Sequence, residues 1–178
     1  MPNFIVGARL HDYGKGTPDE LFGQVSADGF AAVQLAYKKC VPTVKSYADV
    51  TDALVAETVA AEKAHHIQVA VLGTYVELAI NDESRLCNVA DFKSQLAVCK
   101  ALGAGCIGTE TTAMSKQPAG TTRAQAQELL CRSLAEILPA AEALGVTVGI
   151  EPVIYHSMNS AAATRQILDT MRSPNLKV

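Results

Sequence analysis

The sequence predicts an α/β fold with a parallel sheet, closed as a (β/α)8 barrel. Three observations lead there. Short apolar runs alternate with helical patterns in the order β-α-β-α-β-α-β-α-β-α-β. The runs are apolar almost throughout, the mark of strands covered on both faces. Polar residues stand at the carboxyl ends of several different strands, and a barrel gathers those ends around one mouth. An open doubly wound sheet would gather mainly the strands beside its switch point. Its usual nucleotide signals are also missing: "GARLHDYGKG" (7–16) does not spell G-x-G-x-x-G, and there is no P-loop.

The expected strands are "FIVGARL" (4–10), "FAAVQLA" (30–36), "IQVAVLG" (67–73), "CIGTE" (106–110), "VTVGIE" (146–151) and the start of a sixth at "NLKV" (175–178). Helices lie between them. Thr17, Pro18 and Glu20 make a capping box with proline at the first helical position. Residues 51–66 read as an Ala-rich helix ending at His65 and His66, which suit the negative end of a helix and need no chemical role. Residues 92–103 form an amphipathic helix stopped by Gly103. In 124–145, Thr122 and Gln125 repeat the capping box, and Pro139 is expected to kink or split the helix near Ala135. The last helix is 160–171, with Pro174 shortly after it.

Of the 178 residues, 49% are hydrophobic and 19% charged, enough for one sizeable core. The net charge of −3 comes without any Lys/Arg run, so no nucleic-acid partner is expected. No 18-residue apolar run or signal-peptide pattern is present, so no membrane partner is expected either. The five cysteines include no C-x-x-C pair and read as reduced, packed thiols of a cytoplasmic protein. The last run stops at Val178 within an apparent strand. The expectation is therefore a single incomplete barrel domain over 1–178: about five βα units and the start of strand six.

Glu151 is the sharpest candidate for chemistry. A carboxylate at the tip of a buried strand is costly unless it is paired or binds a cation, and Pro152 ends the ladder there. It reads as a metal ligand or general base, against a loop carboxylate paired with a nearby cation. His156 reads as a substrate contact, because the non-helical "PVIY" before it fixes no ligand spacing. Arg9 and His11 alternate with Leu10 and would share one side of an extended chain; an Arg9–Asp12 ion pair is the alternative. Gln34 is a polar group in a buried strand and needs partners, from a neighbouring strand or a ligand. Glu110 follows the fourth strand among Thr109, Thr111 and Thr112, which suit a sugar, a phosphate or ordinary turn bonds. Tyr75 and Glu77 are weaker signals. Cys106 reads as packing, and there is no G-x-S-x-G elbow.

Taken together, "VGARLHDYG", "AVQLAYKK", "VAVLGTYVELA", "KALGAGCIGTETT", "LGVTVGIEPVIYH" and "MRSPNLKV" resemble the xylose isomerase-like TIM barrel superfamily, within it the sugar phosphate isomerase/epimerase group. The resemblance covers nearly the whole chain. It implies a divalent metal (Mn, Mg, Co or Zn) at the barrel mouth, held by Glu, Asp, His and Glu from strands five to eight. Glu151 matches the first ligand and is also the candidate base; the other three have no counterpart in this sequence. The implied reaction is isomerisation or epimerisation of a sugar or sugar phosphate by proton abstraction beside a carbonyl. Arg9, His11, Gln34, Glu110 and His156 are the substrate-binding candidates, the partner is a small carbohydrate, and a homo-oligomer is compatible with the sequence. Two alternatives stand beside this reading. One is an endonuclease-IV-like phosphodiesterase, disfavoured because "GTYVEL" and "GTETT" carry no histidine at strand ends three and four. The other is a non-catalytic barrel relative.

Overall fold

A computed structural model describes residues 4–80 and 82–178. It is an α/β fold with a parallel six-stranded sheet, the strands following chain order. Two compact units make up the chain: residues up to Gly73 together with Val98–Cys106, and Thr74–Ala97 together with Ile107–Val178. Among the described residues, no helix is long and apolar enough to cross a membrane.

The first unit holds β1 (Gly7–Arg9), β2 (Ala32–Leu35) and β3 (Gln68–Gly73), with α1 (Pro18–Ala27), α2 (Tyr37–Cys40) and α3 (Asp52–His65). β1 is shorter than the apolar run that predicts it: Phe4, Ile5 and Val6 are exposed. Gly7 opposes Ala32, and a Cβ on Gly7 would come within 2.9 Å of the Ala32 carbonyl oxygen. Close pairing therefore selects glycine here. Between Val33 and Gln34 the register with β3 slips, so that Val33 opposes Val69 but Gln34 opposes Val71. A bulge of this kind re-aims the side chains beyond it.

The helix caps follow the sequence signals. Thr17 Oγ1 accepts from the Glu20 backbone N–H, and the Glu20 carboxylate accepts from that of Thr17. Thr51 caps α3, which ends at His66 in the left-handed region (φ 55°). His65 does more than favour a helix end. Its Nε2 lies 2.8 Å from Asp19 Oδ1 and joins α3 to the first turn of α1.

α4 (Asp82–Ala101) begins ten residues before the predicted helix. The early turns hide their periodicity because Arg85 is buried while Leu86 is exposed, the reverse of an apolar stripe. In the second unit, Arg85 is neutralised by Glu136, 2.5 Å away on α5 (Arg123–Leu144). Pro139 lies inside α5, but the helix runs unbroken. The carbonyl that proline leaves unbonded belongs to Ala135, which is exposed and can meet water, while Leu134, Ile137, Leu138 and Ala141 hold both sides in the core. β4 (Cys106–Glu110), β5 (Thr147–Glu151) and β6 (Leu176–Lys177) complete the sheet, with α6 (Ala161–Met171) after β5. β6 opposes Val148 and Gly149 of β5, and the Asn175 amide donates to the Val146 carbonyl at 2.8 Å.

Candidate functional site

The second unit assembles a polar cavity from three segments. β4 buries Ile107 and Thr109 and leaves Glu110 half-exposed at its tip. The residues that follow are pinned in turn: Thr112 Oγ1 accepts the Ala79 N–H at 2.9 Å. β5 ends at Glu151, after which the chain folds back on itself. The Val153 N–H donates to the Met158 carbonyl and the His156 N–H to that of Val153.

This second loop is clipped to the first. Ala113 and His156 form an antiparallel bridge. The Met114 N–H donates to the Tyr155 carbonyl (2.9 Å), and the Ser157 N–H to that of Thr112 (3.0 Å). The start of α5 adds two side chains: Arg123 donates to the His156 carbonyl, and Gln127 to that of Ser157 at 2.8 Å. A five-residue loop that looked unable to place His156 thus holds it firmly. Sequence spacing could not show this, because the partners come from elsewhere in the chain.

His156 Nε2 consequently stands 4.0 Å from Glu110 Oε2. Both line a cavity of about 230 Å³ with Tyr75, Glu77, Thr111 and Lys116. Lys116 is ion-paired with Glu77. Two buried polar atoms here, Thr111 Oγ1 and His156 Nδ1, have no hydrogen-bond partner among the described residues. Neither atom presents accessible surface to the cavity. A carboxylate and an imidazole facing one space can hold and move a proton. Lys116 escaped sequence reading because nothing in its turn marks it; only the fold brings it to Glu77.

Glu151 stands exposed at the tip of β5 and does not line this cavity. Among the described residues, no group of three or more His, Cys, Asp or Glu side chains could hold a metal ion.

In the first unit the Arg9–His11 expectation changes. β1 ends at Arg9, and Leu10–Tyr13 form a 3-10 turn, so strand alternation does not align the two. The turn brings them together differently: Arg9 Nη2 donates to His11 Nε2 at 2.7 Å. The alternative ion pair also exists, with Arg9 Nε 3.7 Å from Asp12. Burial lowers the His11 pKa, the charges of Lys39 and Arg9 add to this, and Asp12 opposes them. Gln34 is half-buried opposite Arg9 in the register, and both line a cavity of about 350 Å³ within this unit. Cys106 is half-buried, and all five cysteines are free thiols.

A family model described as xylose isomerase-like TIM barrel matches residues 22–178. Among solved structures, a 3-keto-D-glucoside 4-epimerase from E. coli matches 98% of this chain at 16% identity, with a TM-score of 0.78. A D-psicose 3-epimerase, in the presence of D-fructose, matches 97% at 19% identity and a TM-score of 0.75. A xylose isomerase-like TIM barrel protein from Mycobacterium smegmatis, in complex with magnesium, matches 98% at 14% identity and a TM-score of 0.77. At these identities the likeness is one of fold. The chain spans 66%, 62% and 63% of the three chains, less than two thirds of each. No curated protein matches it.

Proposed function

This chain belongs to the xylose isomerase-like TIM barrel family, and from that premise we propose that the whole protein isomerises or epimerises a carbohydrate. The carrying observation is the Glu110–His156 pair, fixed on two clipped loops beside a polar cavity. Epimerases acting on a ketose and on a keto-glucoside share the fold, which supports the reaction class. A carboxylate takes the proton from the carbon next to the substrate carbonyl. The C–H electron pair becomes the enediolate double bond, and the proton returns to the opposite face or to the adjacent carbon. No net electrons are exchanged, so no redox partner is needed.

Glu151, at the tip of β5, is the proposed base and metal-facing carboxylate. Glu110 and His156 are the proposed hydroxyl contacts in the second unit. A divalent ion would stabilise enediolate charge, and neighbours solved with magnesium and with zinc support metal use. The described residues do not form its site alone. The proposed setting is one incomplete barrel domain in a cytoplasmic protein, with a small carbohydrate as partner.

The test is exchange of a ketose α-proton with deuterated solvent, followed by NMR with and without Mn²⁺. Exchange by the complete protein, reduced at least 100-fold in Glu151→Gln, is the expected result, the scale of general-base catalysis. Undiminished exchange in Glu151→Gln would remove that residue as the base. No exchange with any ketose would leave the non-catalytic relative as the better reading.

A further inference from the structure

We propose that the cavity along β1 and β2 in the first unit binds a short aliphatic monocarboxylate, with the carboxylate on Arg9 and Gln34 and the apolar chain over Gly7, Ala32 and Ala70. The site lies within the first unit alone and is independent of the reaction proposed above.

Alternation sorts the residues of the three strands onto two faces. Val33, Leu35, Val69 and Leu72 point into the core, each at most 1% exposed. Gly7, Arg9, Gln34, Gln68 and Ala70 are exposed or half-buried, and with Ala32 they line a cavity of about 350 Å³. That volume falls in the usual range for small-molecule sites, about 300–1,000 Å³. The hollow exists because Gly7, Ala32 and Ala70 carry no side chain beyond Cβ, and the close approach of the Ala32 carbonyl excludes even a Cβ at Gly7. The register slip after Val33 sets Gln34 opposite Arg9 on one side and Val71 on the other.

Among the described residues lining the cavity, Arg9 is the one that carries charge, and no carboxylate shares the wall. Its guanidinium is already oriented. Arginine only donates, so His11 Nε2 accepts from Arg9 Nη2 at 2.7 Å, and the imidazole is neutral with its proton on Nδ1. Burial lowers the His11 pKa, which keeps that acceptor available near neutral pH. Asp12 stands 3.7 Å from Arg9 Nε, beyond hydrogen-bond length, and the pair is exposed on both sides (58% and 61%). Such a pair competes weakly for the guanidinium. Nη1 and the second Nη2 hydrogen remain for a fork to a carboxylate. The Gln34 side-chain amide is half-buried and makes no hydrogen bond to another described residue. It supplies a further donor beside the fork. One arginine matches a single negative charge; a phosphate, at about −1.5 to −2, would leave charge unmatched. The remaining wall, from Ile5, Ala8 and Val71, is apolar and suits methylene groups.

The test is NMR titration of the 178-residue chain with hexanoate at fixed ionic strength, following the Arg9 backbone amide and the Gln34 side-chain amide. Hexanoate is expected to shift both saturably, and 1-hexanol, hexylamine and inorganic phosphate each to bind at least tenfold more weakly. Arg9→Gln should weaken hexanoate by about ten- to hundredfold, the scale of a hydrogen bond to a charged group, and abolish the preference over 1-hexanol. Arg9→Lys keeps the charge and loses the fork; it should fall between the two, and it carries the test if Arg9→Gln does not fold. Ala70→Leu fills the hollow without changing charge and should weaken hexanoate by about threefold or more. Absence of saturable shifts with hexanoate overturns the inference, as does equal binding of 1-hexanol, hexylamine or phosphate. Undiminished affinity in the Arg9 variants removes the proposed anchor, and undiminished affinity in Ala70→Leu removes the hollow as the site.

Discussion

The Gln127 side-chain amide donates to the Ser157 carbonyl at 2.8 Å, tying the second turn of α5 to the loop that carries His156. Gln127→Ala removes a single donor and leaves the Ala113–His156 bridge in place. The expected cost is about 1 kcal/mol, concentrated in the loop. Hydrogen exchange should show faster opening at His156 and Ser157 than at β5. Uniform acceleration across the unit would mean that the bond serves global stability instead.

Tyr37 is buried, and its hydroxyl lies 2.7 Å from Thr58 Oγ1, which itself donates to the Leu54 carbonyl at 2.8 Å. The phenol is therefore the donor to Thr58. Burial pushes the Tyr37 pKa far above its usual value, so it stays protonated. Thr58→Val should destabilise the fold by about 1–3 kcal/mol, since the phenol loses its acceptor. Tyr37→Phe in the same background should cost little more, because the unpaired donor is then gone. Urea unfolding of the two single variants and the double variant measures the coupling.

Glu136 is held below the ordinary carboxylate range, first by its hydrogen bond from Arg85. Partial desolvation opposes this, and the charges of Arg85, Lys93 and Arg132 reinforce it. A depressed folded pKa stabilises the fold above the unfolded carboxylate range, and that contribution fades as pH falls through the folded value. Glu136→Gln should therefore be less stable than wild type at neutral pH, with the gap closing progressively in acid. Thermal unfolding across pH checks this. A gap that widens in acid would contradict the sign.

The cysteines should react in order of exposure. Cys87 is exposed. Burial pushes Cys40 up to about 11 and, foremost among its causes, Cys99 up to about 12. Thiolate is the reactive form, so iodoacetamide at about pH 8 should label Cys87 first and reach Cys40 and Cys99 only on unfolding. Mass spectrometry of the labelled peptides reads the order.

What the sequence made legible was local or periodic. The Thr17–Glu20 and Thr122–Gln125 boxes involve residues three apart, and both form. β4 matches its predicted span because five consecutive residues carry the whole signal. The end of β5 at Glu151 was legible for the same reason, standing where an apolar run meets proline. The start of α4 was not, because burial of Arg85 depends on Glu136, 51 residues away. Arg9 and His11 were misaligned because the chain leaves the extended form at Leu10, and no glycine or proline separates strand from turn. The placement of His156 was hidden for the reason that hid α4: Arg123 and Gln127 reach its loop from 33 and 30 residues away.

The bridge between Ala113 and His156 has a consequence for exchanging parts within this fold. The segments after β4 and β5 share backbone hydrogen bonds, so neither is an independent cassette. Transplanting the β5 segment alone into a related scaffold would leave the Tyr155 carbonyl without its Met114 donor and the Ser157 N–H without its Thr112 acceptor. Moved together, and with Arg123 and Gln127, the two segments form a unit that brings its own anchorage. Recombination is expected to succeed at boundaries outside this pair and to fail between its members.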